Sequence, residues 1–165
     1  MAHGSEHRST PEETVKRFID GFNRHDGSVM KLFAQGVAWQ DPGGLEPERG
    51  WERMQNGILS AYKVFPGIRM DVSHILAKDD WACFEGTISG TFKGGKWFVG
   101  GGERILRPTN RHVKLSTAWF FRFDKEGLIS FWSFYWDNLQ FLAQIGLKAD
   151  QIGMGAGAQA PGTAH

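Results

Sequence analysis

The chain has 165 residues, 41% of them hydrophobic and 22% charged, and a formal net charge of +1. That length fits one domain, and a near-neutral balance with no basic run interleaved among aromatics excludes a nucleic-acid surface. A single cysteine, Cys83, excludes an internal disulfide and a two-cysteine metal site and fits a reducing compartment.

The opening residues, MAHGSEHRST, carry no apolar signal region, and no apolar run nears the roughly 18 residues of a membrane span. A cytoplasmic protein with no membrane partner is therefore expected. Residues 1–10 are polar and are expected to be loose. Thr10, Pro11 and Glu13 form a helix start, with Pro in the first turn and an acid near the positive end of the dipole. Val15, Phe18, Ile19 and Phe22 then recur at helical spacing up to His25-Asp26-Gly27. Ser28 is read as the cap of a short second helix. A brief strand follows at residues 37–40, and Asp41-Pro42-Gly43-Gly44 breaks it. Residues 50–65 read as a helix with Met54, Ile58, Leu59 and Tyr62 on one face.

Beyond residue 67 the period changes from 3.6 to 2. Ile68, Met70 and Val72 alternate with polar residues, and a longer strand is expected over 81–92. Lys93-Gly94-Gly95-Lys96 is a hairpin signal leading into residues 97–106. The run Gly100-Gly101-Gly102 within that strand marks a bulge or a close approach of ligand or backbone. Two more strands, 113–123 and 128–136, join at Asp124-Lys125-Glu126-Gly127, and residues 138–147 suit a short closing helix. The Gly- and Ala-rich stretch 149–165 is expected to be disordered. One domain over 11–148, helices first and then an antiparallel meander, gives an α+β class.

These segments resemble a known group. Trp39-Gln40-Asp41-Pro42-Gly43-Gly44-Leu45-Glu46-Pro47-Glu48-Arg49-Gly50 is similar to the base-bearing segment of ketosteroid isomerases, and Phe121 to Ile129 to their late hairpin. Phe134-Tyr135-Trp136-Asp137-Asn138 resembles their last strand, and Phe141 to Leu147 the ending of SnoaL-like polyketide cyclases. Both belong to the nuclear transport factor two-like superfamily. The resemblance implies a cone-shaped, curved antiparallel sheet closed by N-terminal helices over a cavity, and a homodimer paired through the sheet. No His, Asp or Glu cluster has metal-ligand spacing, so no metal is expected, and the expected chemistry needs no cofactor.

It also implies roles. Asp41 matches the isomerases' general base, a carboxylate that a partly apolar cavity makes basic enough to move a proton on carbon. The other reading of Asp41 is a turn starter before Pro42. The isomerases' oxyanion tyrosine falls on Phe18 and their protonated acid on Trp119, whose indole N–H donates one hydrogen bond. The cyclases' last-strand acid falls on Phe134. The epoxide hydrolases' Arg-x-Asp falls on Arg104 and Leu106, so the arginine is kept and the carboxylates are not.

If Phe134 and Trp119 face inward, alternation brings in Ser130, Trp132 and Trp136 on one strand and Thr117 and Phe121 on the other. The expected site is thus an aromatic box for a hydrophobic small molecule, with Asp41, Trp119 and Arg104 catalytic. Phe18, Thr117 and Phe121 would bind substrate together with Trp132, Phe134 and Trp136. The alternative is a solid aromatic core. Arg104 either holds an anionic oxygen or pairs with Glu85 or Asp41. Glu85 is read as inward, opposite an apolar face of Ala82, Phe84 and Ile88, and completes the binding set. His74 is read as a surface or hydrogen-bonded residue, and Cys83 as a small buried hydrophobe. The resulting expectation is a cofactor-independent isomerase- or cyclase-like enzyme, with a non-catalytic apolar-ligand binder as the alternative.

Overall fold

The computed structural model describes residues 9–41, 46–99 and 102–148. The loose ends expected at 1–10 and 149–165 fall outside these, residues 9 and 10 excepted. Helix α1 (Pro11–Arg24) opens as the sequence predicts. Thr10 Oγ1 accepts the Glu13 backbone N–H at 3.2 Å, and the Glu13 carboxylate accepts the Thr10 N–H at 2.8 Å. This reciprocal box satisfies donors that a first helical turn otherwise leaves orphaned. The apolar stripe Val15, Phe18 and Phe22 is buried. A short 3₁₀ helix follows at Ser28–Leu32, but Gly27 caps it, with a left-handed φ of 73°. Ser28 instead donates its backbone N–H to Asp26 Oδ1 at 2.9 Å.

Strand β1 (Phe33–Gln40) leads to the short β2 (Glu48–Arg49) and to helix α2 (Trp51–Val64). Then come β3 (Arg69–Lys78), β4 (Trp81–Thr91), β5 (Gly95–Val99), β6 (Gly102–Leu106), β7 (His112–Phe123) and β8 (Ile129–Tyr135). Helix α3 (Asn138–Ile145) closes the described chain, capped by Asp137 Oδ1, which accepts the N–H groups of Leu139 and Gln140. The fold is α+β, with three helices on a curved six-stranded sheet of order β2-β1-β8-β7-β4-β3.

Two expectations need correction. The sheet is mixed, because β1 pairs parallel to β8 while the other neighbours are antiparallel. Alternation along a strand is blind to the direction of its partner. Parallel partners need a long crossover, which here is all the chain between β1 and β8. Nor do β5 and β6 extend the main sheet. Strands β5 and β6 pair only with each other, Val99 opposite Gly102, in a separate ribbon. Phe92 donates its N–H to Arg111 O at 2.9 Å and Lys93 to Val64 O at 2.8 Å, so the backbone leaves the β4 ladder for other partners. The bulge expected at the glycine run falls on residues 100 and 101, outside the described residues.

Candidate functional site

The register of the sheet sorts its inner side chains into rows. Trp39 on β1 faces Trp132 on β8, which faces Phe121 on β7, which faces Ala82 on β4. The next row holds Phe134, Trp119, Phe84 and Ile75. Strict alternation along β7 buries Val113, Leu115, Thr117, Trp119, Phe121 and Phe123 and turns the intervening residues outward. The rings pack as an offset aromatic stack. Trp119 lies 4.7 Å from Phe134 at 22° and 5.2 Å from Trp132 at 25°, and Phe134 lies 5.0 Å from Trp136. Such geometry adds roughly 0.5–1.5 kcal/mol per pair beyond area burial.

Between these rows and the helices lies a cavity of about 90 Å³. Its floor is Trp39, Trp119, Trp132, Phe134 and Trp136, and its roof includes Phe22 of α1 and Met54 and Ile58 of α2. The aromatic core is therefore hollow rather than solid. The space is smaller than typical small-molecule sites of about 300–1,000 Å³ and suits at most one small ring system.

Asp41 follows the end of β1. The last β1–β8 pair is Gln40 with Ser133; Asp41 lies one residue beyond it and does not itself line the cavity, which it reaches through Trp39. Its carboxyl is pushed up to about 6 from 3.8, chiefly by burial and then by the nearby Glu48 carboxylate. A hydrogen bond with the Trp39 side chain and the Arg53 charge pull the other way. The only polar group of that side chain is its indole N–H, so Trp39 is the donor. The β1–β2 pairing places Glu48 opposite Trp39, and Glu48 forms an ion pair with Arg53 on α2. A carboxylate held this way is a stronger base than an exposed aspartate, because desolvation penalises its charged form.

The residues expected in the site divide accordingly. Trp119, Trp132, Phe134 and Trp136 line the cavity. Phe18 and Phe121 have 0% exposure and pack 5.1 Å apart behind the wall. They support the wall without touching the space a ligand would fill. Thr117 shares their face, but its hydroxyl donates to Tyr135 O at 2.9 Å and it does not line the cavity. Ser130 also leaves the row. The β7–β8 register slips between Arg122 and Phe123, and the Ser130 hydroxyl donates to Arg122 O at 3.1 Å. Glu85 is exposed on the outer face, while Ala82, Phe84 and Ile88 are buried. The apolar face of β4 is the inner one, so the expected inward acid is corrected to an outward one. Arg104 stands in β6 opposite Trp97, away from the main sheet; the role expected of its guanidinium falls outside the described side chains.

The histidines and cysteine are placed elsewhere. His74 is exposed and opposite Glu85 on the outer face, after a register slip in β3. His25 stacks on Tyr62 at 4.4 Å, with Nε2 at 2.7 Å from Ile68 O. Cys83 is half-buried on the outer side of β4. Among the described residues no three His, Cys, Asp or Glu side chains converge to hold a metal ion, and no helix is long and apolar enough to cross a membrane.

Sequence reasoning missed Trp39, which joins the carboxylate to the cavity wall, and Glu48 and Arg53, which set its charge environment. The last part of β1 was legible as a brief strand at residues 37–40. The approach of β2 and α2 to it was not, because that contact is made by the fold and leaves no local pattern.

The SnoaL-like domain family model matches residues 15–132. Several solved structures share the fold. A proposed SnoaL-like polyketide cyclase from Jannaschia sp. CCS1 is 16% identical over 88% of this chain and 97% of its own, with a TM-score of 0.71. IdmH, a proposed polyketide cyclase from Streptomyces antibioticus, is 22% identical over 84% and 100%, with a TM-score of 0.65. A protein with a ketosteroid isomerase-like fold from Catenulispora acidiphila, solved with trimethylamine, is 19% identical over 86% and 98%, with a TM-score of 0.67. Among curated proteins none matches the sequence. On the match over residues 15–132, this chain belongs to the SnoaL-like domain family.

Proposed function

We propose that the chain is an enzyme of isomerase or cyclase type. It would use general acid–base catalysis, without a cofactor, on an apolar ketone seated in the aromatic cavity. The observation that supports this most is Asp41, a half-buried carboxylate with a pKa of about 6, hydrogen-bonded to a cavity-wall indole. Such a group is largely ionised at neutral pH yet basic enough to take a proton from carbon beside a carbonyl. The proton would pass to Asp41, leaving an enolate that either reprotonates at another carbon or attacks a second carbonyl. Trp119, in the cavity wall, is the candidate donor to the developing oxyanion. Its relatives' description as polyketide cyclases fits the same chemistry.

The size of the cavity narrows the substrate. A space of about 90 Å³ holds one ring and its carbonyl, so a larger ligand would insert one end. The test is proton exchange. The full chain is incubated in D₂O with acetophenone, a ketosteroid and a polyketide-like diketone, and deuterium uptake at the α-carbon is followed by NMR. Uptake above buffer that disappears in Asp41→Asn supports the reading; equal rates in parent and variant end it.

A second reading is a non-catalytic binder of apolar ligands. It is favoured by Phe134 and Phe18, apolar residues where enzymes of the resembled groups carry a carboxyl and a phenol. It predicts ligand recovered unchanged after long incubation. We also propose that two copies pair through the outer sheet face, where Leu76, Phe120 and Tyr135 are exposed.

A further inference from the structure

The inner face of the sheet continues past the aromatic rows. Two further rows, Ile88 with Leu115 and Gly90 with Val113, extend it toward α3. A second apolar pocket, of about 30 Å³, lies against them and is also lined by Phe65 and by Phe141 of α3, whose rings are 6.0 Å apart. This pocket and the aromatic cavity of about 90 Å³ have three side chains in common, Ile68, Ile88 and Trp136. The two spaces are therefore neighbours along one face. Ile68 and Ile88 are buried, and Ile88 is held in β4 between Met70 of β3 and Leu115 of β7. Trp136 is the largest of the three and is placed differently. It follows the last residue of β8 and precedes Asp137, the cap of α3, so it belongs to neither strand nor helix. Its half-buried ring lies 5.0 Å from Phe134 and donates its N–H to Asn138 Oδ1 at 2.9 Å. It also borders the groove of about 700 Å³ on the outer face, so the ring has open space on that side.

We propose that Trp136 is the residue that sets the length of the ligand. With its indole held by Asn138, it stands where the two spaces meet, and the cavity takes one ring. With a smaller side chain at 136 the spaces join, and the site takes an aryl ketone that carries an apolar chain beyond the ring. This rests on the cavity being a ligand site, as proposed above, and not on the chemistry of Asp41. The lining of the second pocket fixes the class of chain. It presents Phe65, Val113, Leu115 and Phe141 and no charged group. Each methylene moved from water into such a lining strengthens binding about fourfold. A charged extension would lose its water there and gain no partner.

The test measures binding of acetophenone, butyrophenone and hexanophenone to the full chain by calorimetry. In the unsubstituted chain, affinity is expected not to rise beyond acetophenone. In Trp136→Leu it is expected to rise about fourfold for each added methylene until the second pocket is filled. Trp136→Phe keeps a ring, covers the case in which leucine at 136 does not fold, and is expected to show the same rise in smaller measure. Val113→Leu adds bulk to the second pocket. It is expected to leave acetophenone binding to the unsubstituted chain unchanged and to remove the gain made by Trp136→Leu. A gain that survives Val113→Leu shows the chain leaving by the outer groove instead, and overturns the inference. So does the same dependence on chain length in the parent and both Trp136 variants, and so does failure of all three ketones to bind the parent at millimolar concentration. Asp41→Asn separates this from the catalytic reading: it is expected to stop α-deuteration while keeping the parent's length series. Deuteration with no change of series in the Trp136 variants therefore counts against the partition alone, and a changed series without deuteration counts against the base alone.

Discussion

Asp41 and Trp39 stand two residues apart at the end of β1, and one hydrogen bond joins the carboxylate of the first to the side chain of the second, whose ring is part of the cavity wall. The contact ties a group that meets solvent on one side to an apolar interior on the other. It stabilises the ionised form while burial opposes it. Burial is the larger effect, and the carboxyl ends well above an ordinary aspartate.

The first prediction concerns pH. Proton abstraction needs the carboxylate, so α-deuteration should rise as pH increases through about 6 and level off above it. Asp41→Asn should lose the catalysed rate, a fall of roughly 10²–10⁴-fold. Stability should run the other way. The folded carboxyl titrates at about 6, above its value of 3.8 in an open chain, so the folded state holds the proton longer. Stability from this group is therefore full below the open-chain value and falls as pH rises through the folded one. Asp41→Asn, neutral throughout, should be more stable than the parent by roughly 1–3 kcal/mol near pH 8 and equal to it near pH 3. Denaturant titrations at the two pH values measure this, and equal midpoints near pH 8 would remove the desolvation account.

The second concerns the neighbours of Asp41. Glu48→Gln removes a like charge and should lower the Asp41 pKa. Trp39→Phe removes a hydrogen bond to the ionised form and should raise it. The acidic limb of the deuteration profile, or a ¹³C titration of the Asp41 carboxyl, reads both. Movement of both variants in one direction would contradict the assigned causes.

A third prediction probes the sheet at Gly86, opposite Thr117 on β7 and Val72 on β3. A Cβ there would run into the backbone carbonyl oxygen of Asp71, which has no room to give. Gly86→Ala should cost about 1–3 kcal/mol by denaturant unfolding, the usual scale for overpacking. Gly57→Ala is the control. Its added methyl meets nothing within 4 Å on α2, so the gain in helix propensity should stabilise by about 0.5–1 kcal/mol.

A fourth addresses the outer face. Leu76 is 70% exposed and Tyr135 52% exposed on the side of the sheet away from the cavity. If copies pair there, sedimentation should find a dimer, and Leu76→Glu should shift it toward monomer at micromolar concentration. A parent chain that sediments as a monomer at all concentrations tested would end the pairing proposal.

Much of this architecture was legible from local pattern. Thr10, Pro11 and Glu13 marked the start of α1 because capping is settled within one turn. The alternation of β7 correctly grouped Thr117, Trp119 and Phe121, since side chains in a strand must alternate. What alternation does not carry is which of the two faces is the inner one. Glu85 was assigned to the wrong face for that reason: β4 has one apolar face, and the helices covering it are far away in sequence. Slips of one residue, at Ser73 and at Ser130, are equally invisible, yet each turns the side chains beyond it to the other face.

By itself, then, the order of residues determined the helices, most strands, the α+β class and the aromatic character of the interior, because each depends on neighbours within a few positions. Only tertiary structure decided that β1 runs parallel to β8 and that β5 and β6 pair apart from the main sheet as a separate ribbon. It alone decided that Glu48 and Arg53 set the charge around Asp41, and that Trp136 touches two neighbouring pockets. Desolvation, ion pairing and the shape of a cavity depend on what the fold brings within a few ångströms. For these groups the partners come from strands and helices that the sequence holds far apart.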